Sequence, residues 1–277
     1  MFWQTWKAWF HRVWTDRPMK IGTRVGAYRI TSVLGLGSYG IAYLAREEAT
    51  GKTYVLKQVK PSLRHHPKGA EMQQYEADML RFLSHPRIPQ VKEQFVAHGH
   101  HFLAMTFIAG STVEDLLFEN NQYYSLDDAI RLVMEIAQIV RYLHQQSIIH
   151  RDVRIPNVIL QDGVPYLIDF GLARKLGDSA TYESDTMEAY AIEKQIKRKV
   201  EPASDLYALG HFLLFLLYTT YQAPPDQPER SWEEELTLPM EVRSMLRRLL
   251  QIDPPFEDVD KFLACANAFL QKEQSSP

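Results

Sequence analysis

The chain has 277 residues, 45% of them apolar and 23% charged, which suits one large core or two and excludes a disordered chain, a collagen or a coiled-coil rod. A net charge of −3 argues against a nucleic-acid binder by bulk electrostatics. The single cysteine, Cys265, excludes an internal disulfide, no Cys/His group has zinc-site spacing, and a reducing, cytoplasmic compartment is the simplest setting.

Residues 1–20 read as an appendage. Residues 1–24 carry Lys7, Arg12, Arg17, Lys20 and Arg24 against Asp16 alone, a local +4 that leaves −7 on the remainder. Four of the five tryptophans (Trp3, Trp6, Trp9 and Trp14) lie here. With Phe2, Phe10 and Val13 they form one stripe at helical spacing, and basic residues lie mostly off it. No apolar run with a small-residue cleavage site marks a signal peptide. So many tryptophans need a cover. The expectation is self-association or docking on the rest of the chain, or peripheral membrane contact, through residues 2–14.

From Tyr28 to Phe107 the pattern is strand-like. Tyr28–Leu34 enters a glycine-rich turn and Ile41–Ala45 leaves it. A Thr50-Gly51-Lys52 turn leads into Thr53–Val59, and further strands fall near Val91–Ala97 and His101–Phe107. One helix interrupts, about Gly69–Leu83, with Met72, Tyr75, Met79 and Phe82/Leu83 at helical spacing. After Gly110 the pattern turns helical. Leu126–Gln146 is long and amphipathic, with Ser125 as N-cap. Two brief strands follow, Val158–Leu160 and Pro165–Ile168, then helices about Ala203–Tyr218, Met240–Leu250 and Asp258–Gln271. A β-rich half before an α-rich half predicts an α+β fold of two lobes, 21–108 and 109–277.

Gly35-Leu36-Gly37-Ser38-Tyr39-Gly40 fits G-x-G-x-x-G between two strands. A dinucleotide site would need a helix next, whereas a strand-flanked glycine loop can lie over phosphates through its backbone N–H groups. Lys57 follows Val55-Leu56 on a strand, and Glu76 on the only helix of this half is its candidate counter-ion. His150-Arg151-Asp152-Val153-Arg154-Ile155-Pro156-Asn157 places an Asp and an Asn five apart on a loop, as a base and a metal ligand would need. Asp169-Phe170-Gly171 puts a hard-cation ligand after a short apolar strand.

In this order and spacing these motifs resemble the protein kinase family, over roughly residues 25–272. Leu83–Pro89, Ser204–Gly210 and Leu249–Pro254 add to the resemblance. It implies a two-lobed fold, ATP and Mg2+ as cofactors, and protein substrates. Lys57 would hold the α/β-phosphates, oriented by Glu76. Asp152 would accept the substrate hydroxyl proton, and Asn157 with Asp169 would hold magnesium. Ala42 and Val55 would flank the adenine, Met105 falls at the gatekeeper, and the backbones of Thr106 and Ile108 would meet the adenine edge. Arg154 stands where serine/threonine kinases carry a lysine, which makes the branch Ser/Thr-like. Strings such as Leu167–Arg174 suggest a bacterial lineage. Arg151 would gather a phosphate on the segment 172–192, with Ser179, Thr181, Ser184 and Thr186 as candidates.

The chain departs from the family in places. Arg154 for lysine keeps the charge but not the shape. Ala42 and Val55 exchange the usual sizes at constant volume. Ala191-Ile192-Glu193 lacks the usual proline, and Glu257 stands where an arginine normally pairs with that glutamate. Three readings follow: an active Ser/Thr protein kinase, a pseudokinase acting as a nucleotide-binding scaffold, or a small-molecule kinase.

Overall fold

The computed structural model describes residues 16–37, 39–64, 66–179, 196, 199–222 and 230–274. The aromatic stripe of residues 2–14, and Thr181, Ser184, Thr186 and Ala191–Glu193, lie outside the described residues. The chain divides into two compact units, with the boundary between Ile108 and Ala109.

Period-two alternation builds the first unit. Its strands are β1 (Arg24–Val25), β2 (Tyr28–Leu36), β3 (Gly40–Glu47), β4 (Thr53–Val59), β5 (Val91–Ala97) and β6 (His100–Thr106). They form one antiparallel sheet in the order β1-β2-β3-β4-β6-β5. Ile41, Tyr43 and Ala45 of β3 join Tyr28, Leu56 and Phe102 in the apolar core. There Phe95 stacks between Tyr28 and Phe102 at centroid distances of 5.7 and 5.4 Å. The register sets Ala42 opposite Lys57, Leu44 opposite Val55, and Val55 opposite Met105. Directly paired residues share a face, so Ala42, Val55, Lys57 and Met105 lie together on the side away from Ile41 and Tyr43.

Helix α1 (Pro67–Phe82) starts two residues earlier than its apolar spacing suggests, because His66 caps it and Pro67 suits the first helical position. Its buried face also differs from the expected stripe. Phe82 is exposed, while Gln73 and Glu76 are buried beside Met72, Met79 and Leu80. Two polar side chains face inward here because each has a partner on β4.

The second unit is helical. Helix α2 (Val113–Phe118), too short to announce itself by period, is held by a capping box between Thr112 and Asp115. Helix α3 (Leu126–Gln145) begins at Ser125, whose hydroxyl accepts from the Asp128 N–H at 3.1 Å, and it buries Ile130, Val133, Ile136 and Val140. Helix α4 (Pro202–Tyr218) is apolar nearly all round, the mark of a buried helix. α5 (Trp232–Glu235), α6 (Met240–Leu249) and α7 (Val259–Gln274) complete the set. Gly210 must be glycine, since a Cβ there would lie 2.9 Å from Leu249 Cβ on α6. The short strands are β7 (Ser111–Thr112), β8 (Ile148–Ile149), β9 (Val158–Gln161), β10 (Val164–Leu167) and β11 (Arg174–Lys175). They pair as β10-β9-β7 and β11-β8. The two-residue turn Asp162-Gly163 between β9 and β10 has positive φ at both positions. Among the described residues no helix is long and apolar enough to cross a membrane.

One buried charge interrupts the apolar face of α4. Asp205 is fully buried and accepts from the backbone N–H groups of His150 and Arg151 at 2.9 and 2.7 Å. His144 of α3 pairs with it through Nε2 at 3.0 Å. Burial alone would raise the Asp205 carboxyl, but the bonds from His144 and the amides hold it below its ordinary value. Burial also pushes the His150 imidazole down, against the pull of Asp205. Asp205→Ala leaves two buried amides without an acceptor and should cost roughly 3 kcal/mol or more, read by urea unfolding. A loss within ~0.5 kcal/mol would contradict this anchor.

The same groups fix a pH dependence. His150, His85 and His100 all have depressed folded values, each from burial first. Below the ordinary value of 6.5 the unfolded chain therefore binds more protons than the folded one, and stability falls as pH drops. Asp205 does not enter that window. Its contribution is complete above the ordinary carboxylate value and is lost only as pH falls through its lower folded value. The urea midpoint should be lower at about pH 5.5 than at about pH 7.5, and equal midpoints would refute the assignment.

Candidate active site

In the first unit the glycine loop is a bend between β2 and β3. Gly37 donates its N–H to the Gly40 carbonyl at 2.9 Å. A Cβ on Gly40 would lie 2.8 Å from the Gln58 carbonyl oxygen, so that position is fixed by the neighbouring strand. A Cβ on Gly35 would meet nothing within 4 Å and one on Gly37 only the Gly40 carbonyl at 3.6 Å. The backbone at these two positions is thus open to close approach, as a phosphate cradle requires. Ser38 lies outside the described residues.

Lys57 is not a solvated strand lysine. Its Nζ lies 2.7 Å from each carboxylate oxygen of Glu76. The Lys57 side chain is 23% exposed and that of Glu76 only 4%. Gln73, one turn before Glu76, donates its amide to the Lys57 carbonyl at 2.7 Å, so α1 grips β4 at the lysine through both side chain and backbone. Sequence reasoning named Glu76 but not Gln73. The available signal was spacing alone, since a residue three before Glu76 shares its helix face.

Met105 is buried at the end of β6, next to the exposed Thr106. The Thr106 N–H goes to the Gln90 carbonyl at 2.9 Å, and its hydroxyl accepts from the Gln90 N–H at 2.9 Å. That limits the expected adenine contact at Thr106 to its carbonyl. Ile108 has a buried side chain, and its backbone N–H and C=O bond to nothing among the described residues. Both are left for an outside partner.

In the second unit the loop from His150 to Asn157 is fixed from below by Asp205 and from within by its own side chains. Arg151 takes a positive φ of 67°, a conformation that costs a non-glycine residue about 1–3 kcal/mol unless surroundings impose it. Here its amide is held by Asp205, and its guanidinium donates to the Leu172 carbonyl at 3.0 Å. The Asp152 N–H donates to His150 Nδ1 at 3.3 Å. Asn157, in the 3-10 turn Ile155–Asn157, donates Nδ2 to the Asp152 carboxylate at 2.8 Å and to its backbone carbonyl at 2.9 Å. Arg154 Nε reaches the same carboxylate at 3.3 Å, and Arg154 is otherwise exposed. The backbone also links this loop to the next motif, since the Ile168 N–H donates to the Asn157 carbonyl at 2.9 Å.

Asp169 also has a positive φ, 62°, which aspartate tolerates better than most residues. Its Oδ1 accepts from the Gly171 N–H at 3.3 Å. Phe170 is fully buried with its ring edge-on to His150 at 4.8 Å. A hard cation fits these groups. Both amide hydrogens of Asn157 are spent on Asp152, so its remaining functional atom is the carbonyl oxygen, an oxygen ligand like the Asp169 carboxylate. Among the described residues no three His, Cys, Asp or Glu gather to cage a metal by themselves. Two oxygen donors with the rest supplied by water and phosphate is how Mg2+ is commonly held.

Of the phosphate candidates for Arg151, Ser179 is exposed and the other three lie outside the described residues. Glu257 is exposed. The late Asp253-Pro254 turn is held instead by Arg247, which grips Asp253 through two nitrogens at 2.8 and 2.9 Å and Glu233 through a third at 2.8 Å. That hub went unseen in the sequence because its partners are six and fourteen residues away.

Residues 28–271 match the family described as "Protein kinase domain". The chain is 37% identical over 243 residues to the probable serine/threonine-protein kinase YbdM of Bacillus subtilis, covering 87% of this chain and 89% of that protein. It is 32% identical over 215 residues to the serine/threonine-protein kinase PknJ of Mycobacterium tuberculosis, covering 74% of this chain and 36% of that longer protein. Among solved structures, the PknI kinase domain of Mycobacterium tuberculosis superposes with a TM-score of 0.65 at 22% identity, covering 91% of this chain and 99% of that one, which bears on the fold alone. A glycine loop, a paired lysine and glutamate, and a fixed Asp/Asn loop thus occur in a chain that matches this family over most of its length, and the chain belongs to the protein kinase family, with the bacterial serine/threonine protein kinases.

Proposed function

We infer that this chain transfers the γ-phosphoryl group of Mg-ATP to serine or threonine hydroxyls of protein substrates. The observation that carries the reading is the Lys57–Glu76 pair, with both carboxylate oxygens 2.7 Å from Nζ. A buried glutamate pointing at a strand lysine is costly to keep unless the lysine must be held in one place. A scaffold that only bound nucleotide would use the pair too, but would have no need of an Asp152 carboxylate held by both Asn157 and Arg154.

The open backbone at Gly35 and Gly37 supports phosphate binding beneath the loop. Lys57 orients the α/β-phosphates as a fixed cation. Asn157 and Asp169 hold magnesium, which when bound neutralises charge developing on the transferred group. Asp152 takes the proton of the substrate hydroxyl. Its carboxylate already accepts from Asn157 and Arg154, so its orientation is set before a substrate arrives. Arg154 spends Nε on Asp152, and its two terminal nitrogens take no partner among the described residues. They form the fork that would receive the γ-phosphate, in place of the usual lysine. Ala42 and Val55 flank the adenine, and Ile108 offers its free backbone groups to the adenine edge.

Asp152→Asn should lower kcat by about 10²–10⁴-fold with little change in thermal midpoint, measured with labelled ATP and a protein acceptor. Phosphotransfer at the wild-type rate would sink the assignment. Arg154→Ala should lose about 10²–10³-fold in kcat, whereas Arg154→Lys should stay within about tenfold of wild type. If the alanine variant matched the lysine variant, Arg154 would have no part in positioning phosphate.

A further inference from the structure

The amino-terminal chain and the turn before α1 meet at one pair of residues. Asp16 accepts the Ser62 backbone N–H at Oδ1 (2.8 Å) and the Ser62 hydroxyl at Oδ2 (2.9 Å). The Asp16 side chain is only 12% exposed and Lys60 Nζ lies 4.0 Å from it, while Ser62 itself is exposed. The carboxylate thus caps the 3-10 turn Pro61–Leu63 from 46 residues away. That turn has no slack against the helix. A Cβ on Gly69, in the first turn of α1, would lie 2.7 Å from Val59 Cγ1 and 3.0 Å from Leu63 Cβ. The same helix carries Gln73 and Glu76, both bonded to Lys57.

The surroundings of the Ser62 hydroxyl are basic. Lys60 lies two residues before it with Nζ 4.0 Å from Asp16, and Arg64, two residues after it and exposed, lays its guanidinium against Gly99 of the β5–β6 turn. Among the described residues, the carboxylate bonded to Ser62 is Asp16. An exposed hydroxyl beside one carboxylate and one cation is a site whose partner would change if it gained negative charge.

We propose that Ser62 is a phosphorylation site, modified by a second copy of this chain, and that the phosphate expels Asp16 and takes over Lys60 as its partner. The inference rests on the phosphotransfer reading above. In the step, Ser62 Oγ bonds to the γ-phosphorus of ATP and the bond from that phosphorus to the β–γ bridging oxygen breaks. ADP leaves, and the hydroxyl proton passes to Asp152 of the acting copy. The product carries about −1.5 to −2 charge where a neutral hydroxyl had donated to a carboxylate. Donor and acceptor become two anions, and the cap on the turn is lost. Asp16 is then uncoupled from the turn that leads into the helix holding Glu76.

The test uses the full-length chain. Wild-type protein, Mg-ATP and the Asp152→Asn chain as acceptor are incubated beside dephosphorylated casein, and phosphopeptides are mapped by mass spectrometry. Phosphate on Ser62 of the Asp152→Asn chain supports the proposal. Phosphorylated casein with Ser62 unmodified overturns it and leaves the kinase reading standing, and no phosphate on either overturns both. The expulsion is tested separately by thermal unfolding. Ser62→Glu should lower Tm by ~2–4 °C in the wild-type background and by much less when Asp16→Asn has removed the repelling charge. Equal drops in the two backgrounds would show that Asp16 is not what the added charge displaces.

Discussion

The loop that carries Asp152 and Asn157 depends on a buried acceptor for its own backbone. The amides of His150 and Arg151 are out of water, and the apolar side chains of the helix beside them offer nothing to accept a hydrogen bond. Asp205 answers this with one carboxylate that takes both amides and His144. Burying that charge costs several kcal/mol on its own, so it is stable only while each oxygen is fully used. Arg151 can hold its left-handed conformation because its amide and its guanidinium are tied at opposite ends. His150 then presents Nδ1 to the Asp152 amide and its ring to Phe170, so the position of the base and that of the Asp169 motif share one origin.

The first unit solves the same problem with the same means. A lysine and a glutamate are taken out of bulk water, and each is compensated by the other. Gln73 then fixes the backbone of the strand that carries the lysine. Both sites are built from polar groups whose partners come from distant parts of the sequence. Such sites are rigid when complete and costly when one member is missing. That property suits phosphoryl transfer, where positioning and electrostatics supply nearly all of the catalysis.

Much of this was legible in the residues. Strand β3 shows clean alternation, and α3 shows a full apolar stripe behind a serine cap, because each depends on local pattern. The motif residues could be named since their spacing is itself the signal. What stayed hidden is what long-range pairing decides. Asp205 stood in a recognisable stretch, but nothing local says that its carboxylate serves a loop 54 residues earlier. The two-residue strands β7, β8 and β11 are too short for a period. The buried face of α1 was misread because Glu76 and Gln73 look like surface residues until Lys57 is placed beside them. The tie from Asp16 to Ser62 joins residues that no pattern links.

Every role assigned to these residues converges on one event, the arrival of phosphate on a serine or threonine of a protein. The direct measurement is phosphoamino-acid analysis of a protein acceptor after incubation of the full-length chain with labelled ATP and magnesium. Label recovered as phosphoserine or phosphothreonine is the predicted result. ATP bound without transfer, or label found only on tyrosine or a small molecule, would contradict it.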